Sequence, residues 1–193
     1  MSAALVAIAR DGAAAVSLRQ LARDAGVSHG APAHHFGDRA GLFTALAVRG
    51  LDMFCAALSD AAEKAAAAGQ ARLPASGKAY VLFAAAHPAL FEVMFRPDLL
   101  DRDDADLKAA RGRAAALLRG FVAESRPVRA DPESDVGLEA LRAWTHAHGL
   151  ATLWLAGNLP PAMAPDGLEA LVDRLFGTGD NGGCDSDDGR GAA

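Results

Sequence analysis

Cysteine is scarce in this chain. Its 193 residues hold two, Cys55 and Cys184, far apart and with the second in a Gly/Asp-rich stretch. That excludes a disulfide framework and the paired-cysteine spacing of a structural zinc site. Aromatics are only 6% of the residues, with a single tyrosine. No segment sustains the period-two alternation of a half-buried strand, so no sheet is expected. No run of about 18 apolar residues occurs, which argues against a membrane span. The opening Met1 to Arg10 lacks a basic leader, and its apolar stretch is too short for a signal peptide. The expected location is the cytoplasm. Catalytic signatures are missing as well: there is no Gly-x-Ser-x-Gly elbow, no phosphate-cradling glycine loop and no Cys–His pairing. His34 and His35 are adjacent and His146 and His148 two apart. At those spacings a helix does not turn both rings of a pair toward one metal ion. The chain is therefore expected to hold no metal or cofactor and not to be an enzyme.

What fills the chain instead is alanine, the strongest helix former. The hydrophobic fraction of 51% is ample for a substantial core. The expected fold is all-α, with about nine helices. Glycine, proline and capping residues mark their ends. A short helix from Ser2 stops at Asp11-Gly12. Ser17 caps a second, whose inward face is Leu18, Leu21, Ala22 and Ala25 and which Gly26 closes. Val27 then reads as a plug into the core. Ser28 caps a third helix ending near Phe36-Gly37, and Asp38 caps a long fourth running to about Ala68. Gly69 to Ser76, with Pro74 inside it, reads as a linker. Apolar helices follow from Ser76 and after Pro88. The acidic cluster Asp101 to Asp104 suits the start of a helix that runs to about Glu124. Pro127 to Pro132 reads as a loop, Glu133 to about Ala156 as a long helix, and Asp166 to Phe176 as a last amphipathic one. Residues 177–193 cannot bury a core and are expected to be disordered. The division expected is a head of residues 1–50, a body of 51–176 and that tail.

Charge is uneven along this layout. The overall balance is −5, yet residues 1–50 hold five arginines against three aspartates, and the remainder 14 basic against 21 acidic residues. A mildly basic head on an acidic body suits a protein that presents one end to nucleic acid. Within that head, residues 17–36 read as two short helices joined by a glycine turn, the unit that pushes a second helix into a DNA major groove. His29, Gly30, Ala31, Ala33, His34 and His35 are left on the outer face of that second helix. Small residues let its backbone approach closely, and the histidines can donate to phosphates or base edges. Arg39, at the start of the fourth helix, is placed to clamp a phosphate. Pro32 falls at the fourth position of the third helix, where it removes a bonded donor and predicts a distorted first turn. The competing reading of the same residues is a helical hairpin in an ordinary all-α domain.

Leu18-Arg19-Gln20-Leu21-Ala22-Arg23-Asp24-Ala25-Gly26-Val27-Ser28, with His35-Phe36-Gly37-Asp38-Arg39 and Leu42-Phe43, resembles the N-terminal domain of the tetracycline-repressor (TetR) family. A second stretch, Tyr80 to Ala84 with His87-Pro88, Met94-Phe95, Trp144 and His148-Gly149, resembles the TetR subgroup whose C-terminal domain is named for a Trp…His-Gly signature. The resemblance implies an all-helical homodimer that binds a double-stranded DNA operator through its first helices. It implies a repressor released from a palindromic operator by a small apolar effector. Carried over by position, Arg19, Ser28, His29, Gly30, Ala31, Ala33 and His35 would face the groove or flanking phosphates, with Ser17 and Arg39 on the backbone. Ala33 stands where the family usually has a tyrosine, and the first helix is shorter than usual. Those departures motivate an alternative, a dimeric small-molecule-binding protein with a weakened or lost DNA-binding head.

In the body, Ala140, Trp144, Ala147, Ala151 and Trp154 recur at three- and four-residue spacing. With Leu138 and Leu141, and with Leu168, Leu171, Val172 and Leu175 on the last helix, they form the expected dimer interface. Phe83, His87, Phe91, Met94 and Phe95, with Leu117, Phe121, Trp144 and His148, are the candidate lining of the effector pocket, each having plain core as its competing reading.

Overall fold

The computed structural model describes residues 1–28, 30–125 and 136–177. His29, the loop Pro127 to Pro132, the helix start expected at Glu133, and the tail from residue 178 with Cys184 lie outside the described residues. Among the described ones there are nine α-helices and two 3-10 turns: α1 (Ser2–Asp11), α2 (Leu18–Asp24), α3 (Ala31–Phe36), α4 (Arg39–Ala67), α5 (Arg72–Ala86), α6 (Pro88–Met94), α7 (Ala105–Ser125), α8 (Val136–Leu155) and α9 (Gly167–Phe176). The 3-10 turns, Ala13–Ala15 and Pro161–Met163, are too short to show a period in the sequence.

The fold is organised around α4. Asp38 caps it, its Oδ1 accepting from the Gly41 N–H at 2.8 Å. Twenty-nine residues give it a length of about 44 Å. Leu42, Phe43, Leu46, Ala47, Gly50, Leu51, Phe54 and Leu58 are all buried along it, and their three- and four-residue spacing makes one continuous inward face. The expected boundary at residue 50 falls inside this unbroken helix, which carries core residues of head and body alike. By length and composition α4 is apolar enough to cross a membrane, yet half of its most apolar window is buried within this chain. It is the core helix against which α5, α6 and α7 pack.

The body closes around it by specific ties. The buried Thr44 hydroxyl accepts from the Asp101 N–H at 2.9 Å, pinning the approach to α7 onto α4. Asp104 caps α7 through the Leu107 N–H at 2.8 Å, the use expected of that acidic cluster. α8 and α9 both pack on α5. This orientation corrects part of the expected dimer interface. Ala147, Ala151, Leu168, Leu171 and Val172 are buried within the protomer and cannot meet a second chain. An apolar stripe at helical spacing announces burial without saying against which chain.

Three local expectations change as well. The stretch expected as a linker supplies the first turn of α5, which starts at Arg72 and holds Pro74 at a position where no helical donor is lost. Val27 is 48% exposed and does not plug the core, and Ala25 is exposed beside it. The helix after the turn starts three residues later than Ser28.

Candidate nucleic-acid interface and effector cavity

The head is built by short-range chemistry. Ser17 Oγ accepts from the Gln20 N–H at 3.3 Å and caps α2. At its other end Gly26 takes φ +65°. The Val27 N–H then reaches the Ala22 carbonyl at 3.0 Å and the Gly26 N–H the Arg23 carbonyl at 3.1 Å. This is a Schellman closure, which needs a left-handed residue and therefore favours glycine. It explains the exposed Val27: the backbone of that residue ends the helix while its side chain faces solvent. Ser28 contributes its backbone carbonyl to the Ala31 N–H, at 3.0 Å, instead of a side-chain cap. With α3 beginning at Ala31, Pro32 lies in the first turn, so the distortion expected there does not arise.

Around this frame Ser17, Arg19, Ser28, Gly30, Ala33, His34 and His35 are exposed and Ala31 is half-buried. The buried Leu21 and Ala22 hold α2 against its neighbours, and Phe36 packs on the core. The outer face is thus a compact group of small residues, hydroxyls and imidazoles with Arg19 at its side.

Arg39 departs from the expectation of a phosphate clamp. Its guanidinium donates to the carbonyl oxygens of Ala13 at 2.7 Å and Ala14 at 3.1 Å, and lies 5.1 Å from the centre of the Phe43 ring. Its Nε is buried without a hydrogen-bond partner. Arg39 satisfies the loose carbonyls of the 3-10 turn and ties the α1–α2 connection to α4. The sequence did not show that turn, so the arginine had no visible internal partner.

The body holds a cavity of about 850 Å³. Leu51, Phe54 and Leu58 of α4 form one wall, Tyr80 of α5 and Met94 and Phe95 another, and α7, α8 and the end of α9 the rest. Of the residues expected to line a pocket, Met94, Phe95 and Trp144 do so. Phe83, Phe91 and Phe121 are core instead, Leu117 packs against that core, and the half-buried His87 sets its ring 4.8 Å from that of Phe83. The largest omission is Tyr80, the only tyrosine, which in the sequence reads as one more apolar helical residue.

Tyr80 explains the spacing of Trp144 and His148. Trp144 Nε1–H donates to the Tyr80 hydroxyl at 3.2 Å, and that hydroxyl lies 2.8 Å from His148 Nδ1. One turn apart on α8, the indole and imidazole converge on a single oxygen. With Trp144 donating to it, the hydroxyl keeps its own proton to offer Nδ1, an arrangement that goes with the imidazole proton on Nε2. Burial raises the Tyr80 pKa and so keeps the phenol protonated. Burial also lowers the His148 pKa, and the ring sits 4.7 Å from Phe95 and 5.5 Å from Phe91. His148 is therefore a positioning partner of Tyr80 behind the cavity wall and not a lining residue.

A depressed imidazole has a stability consequence. Above its ordinary pKa of 6.5 His148 is neutral both folded and unfolded. Below it the unfolded chain binds a proton that the folded one resists, so stability falls as the pH drops toward the folded-state pKa. Urea unfolding at pH 8 and pH 5 should show a smaller acid loss in His148→Gln than in the native chain. Equal losses would remove this role.

Comparison with known proteins decides the family. Residues 1–46 match the family of bacterial regulatory proteins, tetR family, and residues 73–178 match the tetracyclin repressor-like, C-terminal domain. The chain belongs to the TetR family. Members are ligand-responsive DNA-binding transcriptional regulators, and this chain is one of them. A TetR-type arrangement also recurs among solved structures. A protein with unknown function from Rhodococcus sp. RHA1 is 35% identical, with a TM-score of 0.74 over 91% of this chain and 88% of that one. The TetR family transcriptional regulator PfmR from Thermus thermophilus is 20% identical, with a TM-score of 0.67 over 90% and 89%. A bacterial regulatory protein in the tetR family from Rhodococcus RHA1 is 18% identical, with a TM-score of 0.64 over 91% and 90%. The last two share the fold. Among curated proteins none matches.

Proposed function

We propose that this TetR-family regulator is a cytoplasmic, non-enzymatic repressor that holds a palindromic operator as a homodimer and is released by a small molecule in the cavity. One observation carries the reading. The same helix, α4, buries Leu42 and Phe43 in the head core and presents Leu51, Phe54 and Leu58 to the cavity. An occupant that shifts α4 shifts the head with it, because Arg39 fastens the first turn of α4 to the Ala13 and Ala14 carbonyls. Two reading heads must sit about 34 Å apart to enter successive major grooves, so a small rotation of each suffices to lose the operator. Leu138, Leu141 and Leu175 are exposed and Trp154 is half-buried. These residues support pairing through α8 and the end of α9, beside the cavity that Leu141 and Leu175 also line.

The test is selection of duplexes bound by the full chain from a random pool. An enriched inverted repeat, with half-site centres about one helical turn apart, is the expected result. A pool that stays random would exclude an operator.

A further inference from the structure

The cavity wall is unbalanced in charge. α7 presents Arg111, Ala114, Ala115, Leu118 and Arg119 to it, positions spaced by three and four residues that share one helical face. The two arginines are eight residues apart, about 12 Å along the helix axis at their backbones. Arg113, on the same helix, is paired with Asp52, and Arg72 with Glu124. Arg111 and Arg119 have no such partner among the described residues, and no aspartate or glutamate of the described residues lines the cavity. His146 adds a further donor to the wall, its ring 5.1 Å from that of Phe176. The remainder is apolar apart from Ser76, Tyr80 and Trp144. A cation facing an apolar space without a counter-charge gains from any anion that enters with the occupant, through charge-assisted and bidentate hydrogen bonds.

We propose that the effector is an anionic amphiphile: an acyl or ring body against Leu51, Phe54 and Met94, and a carboxylate, sulfonate or phosphate head held by the arginines of α7. The proposal rests on the reading of this cavity as the effector site, and it adds a charge to the apolar molecule that the sequence implied. Arg111 is half-buried and Arg119 exposed, so the body enters the protein while the head stays near the solvent edge. That arrangement spares the head most of the cost of burying an ion.

Two dyes that share one ring system separate body from head: anilinonaphthalene sulfonate, which is anionic, and phenylnaphthylamine, its neutral counterpart. Titrated by fluorescence against the full chain, the sulfonate should bind at least about tenfold tighter, the order of one charge-assisted contact. The double variant Arg111→Gln/Arg119→Gln should lose that preference and keep its affinity for the neutral dye, which also reports that it folds. Ala115→Phe, which pushes a ring into the space from α7, should weaken both dyes. Equal affinity of the two dyes for the native chain overturns the anionic head while leaving the cavity reading intact. A sulfonate preference that survives in the double variant overturns the assignment to these arginines. If neither dye binds, or Ala115→Phe weakens neither, the cavity reading fails and the proposal with it.

Discussion

Phe43→Ala should destabilise the protein by about 3–5 kcal/mol, the range for emptying a fully buried aromatic site. The ring has no solvent exposure and supports Arg39 from below, with the guanidinium 5.1 Å from its centre. Its loss therefore opens a cavity at the base of the head and loosens the arginine that bonds the Ala13 and Ala14 carbonyls. For a chain of this size the melting temperature should drop by about 6–20 °C, read by thermal and urea unfolding. Val27→Ala is the control. With its side chain in solvent it should stay within about 0.5 kcal/mol of the native chain. A large effect at Val27 and a small one at Phe43 would reverse the inside and outside of the head.

The second large effect is on DNA binding. Gly41 lies in the first turn of α4, and a Cβ there would run into the carbonyl oxygen of Phe36. That oxygen belongs to the backbone at the end of α3, so no side-chain rotation relieves the clash. Gly41→Val must move α3 relative to α4, and with it the face that reads DNA. Operator affinity should fall at least about a hundredfold, roughly 2.7 kcal/mol. Binding of the neutral dye in the body should change by less than about twofold, since no cavity-lining residue touches that junction. Unchanged operator binding would mean that the α3–α4 angle does not matter to recognition. Parallel loss of dye binding would mean that the variant damages the whole chain.

The all-helical fold was legible because its signals are local. Ser17, Gly26, Asp38 and Asp104 each act on a backbone group within a few residues, and the inward face of α4 shows in its spacing. The rest depended on contacts distant in sequence. Arg39 looked available for phosphate because its partners lie 25 and 26 residues earlier, in a 3-10 turn without a period. Val27 looked buried because an apolar residue after a glycine turn commonly packs inward, whereas here its backbone does the closing. Of the α8 and α9 residues expected at a dimer interface, Ala147, Ala151, Leu168, Leu171 and Val172 are buried within the protomer, while Leu138, Leu141 and Leu175 are exposed. In the body, Trp144 and His148 were visible as a pair while the reason for their pairing, the Tyr80 hydroxyl 64 and 68 residues away, was not. Arg111 and Arg119 carried no signal in the sequence; the structure places them on a wall where no carboxylate of the described residues lies.

The central claim is that the exposed face of α2 and α3 binds one DNA sequence in preference to others, with Arg19 on the phosphates and Arg39 serving the fold. Fluorescence anisotropy of the full chain on the duplex flanking its own gene, against a scrambled duplex and across a salt series, tests it directly. A preference of about a thousandfold or more is expected. Arg19→Gln should flatten the salt dependence by about one ion, and Arg39→Gln should lower affinity while leaving that slope unchanged. Equal binding to both duplexes, or a slope that responds to Arg39 and ignores Arg19, would contradict it.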